Sequence, residues 1–469
     1  MSLNADGFGS MNNPAKIIRP LGKMERSMWF CDQSSPTNIG LGCEIHGCFT
    51  DEALRMAFKF CQIRHPILRS VVQNRDNNIY FACHETSHAP EIPLEICVGA
   101  IEDENRVVVE EMQKPLNGTQ GLLIRAKLIR INQHHSFIVI VFSHVIGDGF
   151  SAVLLLQDTI NYLGNLTRKE VIPDPVPLPF PPPSEQGIPQ EHRGWSGLKK
   201  LFAVQKEVAE KLKAWGSKPS PVLTRDTPCS SPRKMNCKSF NLTEAETRAF
   251  VARSKQEKVS VFALLGGCLL DAFQPSLEPS IQKNGSCGKV MSFAAPVDMR
   301  PFLKSSVKEH FGFYSSAVNH LCLLQESNDP VMLAKQLHAD LLKSFIQKKV
   351  HLHTTPLLAA FLAWRWLFPL TNKGIRRVAK LTEGMFKSCA TSLTFLNDSI
   401  VIEKHHGITI SNPRGHISPS IMGVALYCVL LYNDTLSAHV TYNSDQLSED
   451  DVAALNDRFK RNILKSRAF

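Results

Sequence analysis

The sequence contains no C-x-x-C pair, no long run of one charge sign, and no apolar stretch long enough to cross a bilayer free of charge. Each absence removes a class of protein. The cysteines number thirteen, and an odd, scattered set excludes a complete disulfide framework. Reduced thiols in a cytosol-like compartment are therefore expected, and with them a cytoplasmic location. The net charge of +10 is modest for 469 residues and is dispersed along the chain. A nucleic-acid binder concentrates Lys and Arg on one face. The local cluster "GIRRVAK" around Arg376 and Arg377 reads instead as a solvated helix face, and no nucleic-acid partner is expected. The balance still suits a phosphate-bearing co-substrate, whose approach positive potential favours.

The most lipid-like segment, "PLLAAFLAWRWLFPL" (356–370), is short and carries Arg365, which argues against a spanning helix. Its readings, in order of preference, are a buried helix, a lid lining a channel for long acyl chains, and an interfacial patch. Membrane contact is thus open but not favoured. The opening "MSLNADGFGSMNNPAK" lacks the basic-then-apolar pattern of a signal peptide, and residues 1–15 are expected to be a disordered lead-in.

What the sequence does contain is two stretches of mixed helix and strand signals. Thr50 precedes "DEALRMAFKFCQIR", an amphipathic helix reaching about Arg64, and a second acidic-headed helix spans about 103–113. "GLLIRAKLIRI" (121–131) and "SFIVIVF" (136–142) flank "NQHH" as a hairpin. A helix follows from Phe150. Residues 171–190 then carry eight prolines, which exclude a helix or a central strand. Beyond them Thr243 and Glu246 form a capping box, Ser260 caps an apolar helix, and residues 289–300 read as a strand. Asp329 and Pro330 open a further helix. Four strand-like segments and a last helix, "SEDDVAALNDRFKRNIL", close the chain. The expectation is an α/β protein of two lobes: 16–170, a proline-rich crossover at 171–200, and 201–469.

The segment "SFIVIVFSHVIGDGF" poses the functional question. An apolar strand with no alternation is buried on both faces. Its carboxyl end delivers His144 into a turn that Gly147 and Gly149 are expected to permit, just before a helix. Such seams open into clefts, and a neutral imidazole there suits proton abstraction near neutral pH. Taken alone, a histidine beside a buried strand is more often a satisfied structural residue. Asp148 either orients the imidazole or, as preferred here, faces away and clamps the loop through a cation. No third His, Cys or carboxylate stands nearby in sequence, so no metal is expected.

"SHVIGDG" after an apolar strand resembles the H-x-x-x-D-G signature of the chloramphenicol acetyltransferase-like superfamily. That group includes nonribosomal peptide condensation domains, BAHD plant acyltransferases, alcohol acetyltransferases and phthiocerol dimycocerosyl transferases. "RPLGKMERSMWF" (19–30), "HPILRSVV" (65–72), "PVDMRPFL" (296–303) and the closing "SNPRG…YNSDQLSEDD" follow in that superfamily's order, so the resemblance covers roughly residues 15–465. It implies two similar lobes forming a V around a central tunnel. It also implies His144 as general base, Asp148 as the motif aspartate paired with an arginine, for which Arg300 is the candidate, and Gly149 at the turn into the helix. A surface arginine at a strand end is the competing reading of Arg300. Thr394 and Asn397 are candidates to bind the oxyanion, and Tyr314 and Ser315 in "HFGFYSS" are tunnel candidates that alternatively only satisfy hydrogen bonds. The implied reaction moves an acyl group from coenzyme A or a carrier-protein phosphopantetheine thioester to a small alcohol or amine, with no permanently bound cofactor. Many condensation domains carry two histidines where this chain has Ser143-His144, and the D-F-G-W-G segment of BAHD enzymes is missing. The first departure makes peptide-bond formation less favoured, and so favours O-acyl over N-acyl transfer, and the second argues for the alcohol acetyltransferase and mycocerosyl branch. A free-standing amide-forming condensation enzyme and a catalytically silent two-lobed binding protein are the rivals. With two internal lobes a monomer suffices, and a stand-alone protein is expected.

Overall fold

The computed structural model describes residues 15–465 apart from 34, 77, 117, 120, 169–173, 217–219, 221, 225–232, 279, 282–286, 305, 326–328, 352–388, 398–406 and 420–422. The lead-in and the 356–370 segment lie outside the described residues, as does the "GIRRVAK" cluster.

In chain order the first part comprises β1 (Lys16–Pro20), α1 (Lys23–Asp32), β2 (Asn38–His46), α2 (Asp51–Arg64), β3 (Ser70–Arg75) and β4 (Asn78–Cys83). It continues with β5 (Leu94–Val98), α3 (Glu104–Gln113), β6 (Ile124–Asn132), β7 (His135–Ser143) and α4 (Gly149–Thr167). A single helical turn, α5 (Ser184–Gly187), and α6 (Gly194–Trp215) lead across. Next come β8 (Met235–Asn241), α7 (Glu244–Gln256), α8 (Val261–Phe273), β9 (Ser280–Ile281), β10 (Cys287–Asp298), β11 (Ser315–Leu324) and α9 (Pro330–Ile346). The chain ends with β12 (Cys389–Asn397), β13 (Thr409–Ile417), β14 (Ala425–Tyr432), β15 (Thr435–Asn443) and α10 (Glu449–Lys465).

Local chemistry sets many of these boundaries. Thr50 Oγ1 accepts from the Ala53 amide at 3.1 Å, and Asp103 caps α3 through the Asn105 and Arg106 amides. Thr243 and Glu246 close the capping box on α7, and Ser260 and Asp329 cap α8 and α9. These bonds satisfy amides that have no partner inside the first helical turn.

Two main sheets organise the described residues, both mixed, in an α/β two-lobed fold. The first runs β13-β2-β7-β6-β5 and the second β11-β10-β12-β14-β15-β8, with β9 on β10; a small β1-β4-β3 sheet flanks the first. β7 is central and buried along nearly its whole length. Ile138, Ile140 and Phe142 on one face join the core beneath α2 and α4. Phe137, Val139 and Val141 on the other meet Val108 and Met112 of α3 and Met235 of β8. Two-sided burial explains the unbroken apolar run.

Residues 174–183 form neither helix nor strand, as their prolines require, but the chain is already helical at Gly194, inside the expected crossover. A larger correction concerns β13. Residues 409–417, expected with the second lobe, pair antiparallel with β2 and complete the first sheet. The strand faces the second sheet too: Tyr432 donates to the Ile410 carbonyl at 3.2 Å, and His416 Nδ1 lies 3.2 Å from Thr441 Oγ1. Among the described residues no single helix is long and apolar enough to cross a membrane.

The seam is tight at Gly415, where an added Cβ would stand 2.6 Å from Cys428 Sγ on β14. Gly415→Ala is expected to destabilise the protein by about 1–3 kcal/mol through overpacking. Urea unfolding measures this; an unchanged midpoint would show that β13 is not packed against β14.

Candidate active site

The loop after β7 is held at both ends by backbone bonds. The Ser143 amide donates to Leu123 O at 2.9 Å, His144 N–H to Thr37 O at 2.8 Å, and Ile146 N–H to Ser143 O at 3.1 Å. These fix the backbone of His144, whose side chain is half-buried. Its Nδ1 lies 2.7 Å from the Gly147 carbonyl oxygen, and the ring packs on Phe313 with centroids 4.9 Å apart. A carbonyl can only accept, so Nδ1 carries the proton and Nε2 keeps its lone pair. Nε2 has no hydrogen-bond partner among the described residues. Burial lowers the His144 pKa from its ordinary 6.5, outweighing the opposite pull of the Gly147 carbonyl and Asp148.

Asp148 makes no hydrogen bond to His144. It is buried and caps α4, with Oδ1 accepting from the Ser151 amide and hydroxyl at 2.9 Å each. Oδ2 accepts from the Tyr314 amide at 2.9 Å. Arg300 Nη1 donates to Oδ2 at 3.0 Å and Nη2 to Oδ1 at 3.2 Å, a two-pronged pair between residues 152 apart in sequence. Burial opposes ionisation of Asp148, but the guanidinium and these donors hold its pKa below the usual value.

Arg300 is equally enclosed. It donates to Asp298 at 2.9 Å and to the His310 and Gly312 carbonyls at 3.2 Å each. Its guanidinium lies 4.8 Å from the ring centroids of both Phe150 and Tyr314. The predicted strand stops two residues short of it: β10 ends at Asp298 and Arg300 begins a 3-10 turn. Pro301 has no amide to continue a ladder.

The glycines act differently from the expectation. Neither Gly147 nor Gly149 has a positive φ. At Gly147 the requirement is room, because a Cβ would lie 2.6 Å from Phe311 Cε1. At Gly149, the first residue of α4, a Cβ would meet only Leu396 Cδ2, at 4.0 Å.

The remaining candidates separate. Tyr314 lends its amide to Asp148, while its hydroxyl donates to the Pro182 carbonyl at 3.0 Å. Ser315 opens β11 and donates weakly to the Ser316 carbonyl at 3.5 Å. Asn397 ends β12 exposed. Thr394 stands apart, because its Oγ1 is buried with no hydrogen-bond partner. Leu393 and Phe395 face the second core, whereas Leu396 packs on the first, so the pleat turns Thr394 towards the first lobe. Sequence reasoning missed Ser151, Asp298 and Phe313. Only Ser151 left a local trace, at the third position of a helix capped by Asp148.

Residues 18–180 match the Condensation domain family, and residues 231–366 match the Phthiocerol/phthiodiolone dimycocerosyl transferase C-terminus. Polyketide synthase associated protein 5 from Mycobacterium tuberculosis is 15% identical, with 97% of this chain and 99% of that one covered at a TM-score of 0.65. The trichothecene 15-O-acetyltransferase of Fusarium sporotrichioides is 12% identical, with 96% and 95% covered and the same TM-score of 0.65. At such identities these structures speak for the fold. A nonribosomal peptide synthetase of Aspergillus flavus is 25% identical over 210 residues, 41% of this chain but 2% of that protein. The chain thus spans a small fraction of the length of such curated relatives. Two family matches in the expected order, joined to a two-lobed fold with counterparts over nearly the whole chain, give one likeness: the chain is similar to the condensation domains and acyltransferases of the chloramphenicol acetyltransferase-like superfamily.

Proposed function

We propose that the protein is an acyltransferase that moves an acyl group from a thioester donor to a hydroxyl acceptor, with His144 Nε2 as general base. The observation that carries this reading is the Nδ1–H bond to the Gly147 carbonyl, which leaves Nε2 basic on a half-buried ring. Nε2 takes the acceptor proton as the oxygen attacks the thioester carbonyl. The tetrahedral intermediate collapses, the C–S bond breaks, and the imidazolium returns its proton to the departing thiolate. No acyl-enzyme is required. Base catalysis of this kind contributes roughly 10²–10⁴-fold.

Thr394 Oγ1 supports a donor for the oxyanion, since a buried hydroxyl without a protein partner is poised to bond to a developing charge. The arrangement supports a positioning role for Asp148 and Arg300, which fix the loop that carries His144. Tyr314 belongs to the same scaffold, and Gly147 admits Phe311 against the loop. The donor is acyl-CoA or an acyl-carrier thioester, used as co-substrate in a cytoplasmic, monomeric enzyme. The solved structure of the starter condensation domain of rhizomide synthetase in complex with C8-CoA supports a coenzyme A donor. Amide formation fed by carrier proteins is the second reading, favoured by the Condensation domain match.

Three outcomes are expected. His144→Ala folds normally and loses thiol release from a panel of acyl-CoA and acyl-carrier donors, with or without alcohol and amine acceptors. Retained turnover removes His144 as base, and the preferred donor and product separate ester from amide formation. Only neutral His144 accepts a proton and burial disfavours its charged form, so the acid limb of kcat/KM should lie below pH 6.5. A limb above that value would assign the titration to another group. Arg300→Ala strands a buried carboxylate and should cost about 3–5 kcal/mol. Denaturant unfolding measures this, and a loss under about 1 kcal/mol would show that the pair is dispensable.

A further inference from the structure

At the opposite end of β7 from His144, three side chains converge that no local sequence spacing brings together. Glu44 and His46 lie two residues apart on β2 and share a face. His135 opens β7 directly opposite His46 in the antiparallel register. The two imidazoles stack with centroids 4.7 Å apart and planes 19° apart. Both Nε2 atoms lie 3.3 Å from one carboxylate oxygen, Glu44 Oε2. The three atoms fall within 4.8 Å of one another. His135 Nε2 is buried without a hydrogen-bond partner, so its aim at this point is not explained by a bond already made.

We propose that Glu44, His46 and His135 form a binding site for a divalent transition metal, Zn²⁺ in the first instance, that fastens β2 to β7 and, through Ser411, to β13. Zinc bound at about 2.0–2.2 Å holds tetrahedral ligand atoms about 3.3–3.5 Å apart, the spacing already present between Oε2 and each Nε2. The ligand set, two imidazoles and one carboxylate, is one that zinc accepts. Ser411 Oγ supplies the surroundings, donating to Glu44 Oε2 at 2.8 Å and accepting from His46 Nε2 at 2.7 Å. On metal binding His46 shifts its proton to Nδ1, and a water completes the fourth position.

The carboxylate is held ready. Asn412, in the left-handed region at φ 48°, donates from Nδ2 to Glu44 Oε1 at 2.7 Å. Burial opposes ionisation, but Asn412, Ser411 and the two imidazoles outweigh it and keep the Glu44 pKa below the usual value. Arg414, farther along β13, is paired with Glu104 and brings no uncompensated positive charge. The nine residues of β7, His135–Ser143, run about 30 Å before His144, so the site lies apart from the proposed chemistry and stands without it. Its role is structural.

The test uses the full chain, stripped of metal by chelator and then titrated with ZnCl₂ calorimetrically and with CoCl₂ by visible absorption. One ion per chain is expected, with the intense visible bands of tetrahedral cobalt and a rise in Tm on zinc addition. At about 100 times Kd, the folding equilibrium constant rises about 100-fold. His135→Gln and Glu44→Gln should abolish the bands and the Tm shift while keeping the far-ultraviolet circular dichroism of the parent. Ser411→Ala, which removes only an outer partner, should weaken binding about 10–100-fold. Absence of stoichiometric binding in the parent chain would overturn the proposal. So would binding undiminished in folded His135→Gln, which would assign the ion to other groups such as exposed Cys48.

Discussion

The ion pair between Asp148 and Arg300 is the constraint around which the site is assembled. Both side chains are almost entirely out of water, at 4% and 2% exposure. Such a pair is tolerated only when its remaining hydrogen-bonding capacity is met. Here Ser151, Tyr314, Asp298 and two carbonyls of the 310–314 loop meet nearly all of it, leaving Arg300 Nε buried without a partner. The same bonds cap α4 from one lobe and anchor the end of β10 and the loop before β11 in the other. Because the carboxylate is fully committed, it cannot also orient the imidazole. That duty falls to the Gly147 carbonyl, and the two residues of the motif act on different partners.

The part of this arrangement legible from sequence was its local part. Thr50, Asp103, Thr243 with Glu246, Ser260 and Asp329 cap their own helices, so a reader needs only a few neighbouring residues. The β7 run, apolar on both faces, announced a central strand, and the preferred outward-facing role of Asp148 matches the direction its side chain takes. α6 escaped notice for a physical reason. Among its described residues only Gly197 and Leu201 are buried, whereas Trp195 and Phe202 face solvent at 79% and 65% exposure. Apolar residues pointing outward blur the periodicity that marks a helix.

Non-local features were illegible. Nothing in "HGITISN" states that its partner is β2 rather than a neighbour, because backbone pairing carries little sequence information. Thr394 looked like one of several hydroxyls until the pleat of β12 separated it from Ser315 and from the committed Tyr314. The Glu44–His46–His135 cluster likewise needs the register of β2 on β7, which no local spacing states.

The placement of β13 bears on how the chain is made. Ser411 meets His46 across 365 residues of sequence. On a ribosome adding about 5–20 residues per second, β2 waits on the order of tens of seconds for that neighbour. Through this interval its outer hydrogen-bonding groups stand open to any strand that passes. The nascent first lobe is therefore an unfinished sheet whose vulnerability ends only when β13, hundreds of residues further on, has been synthesised.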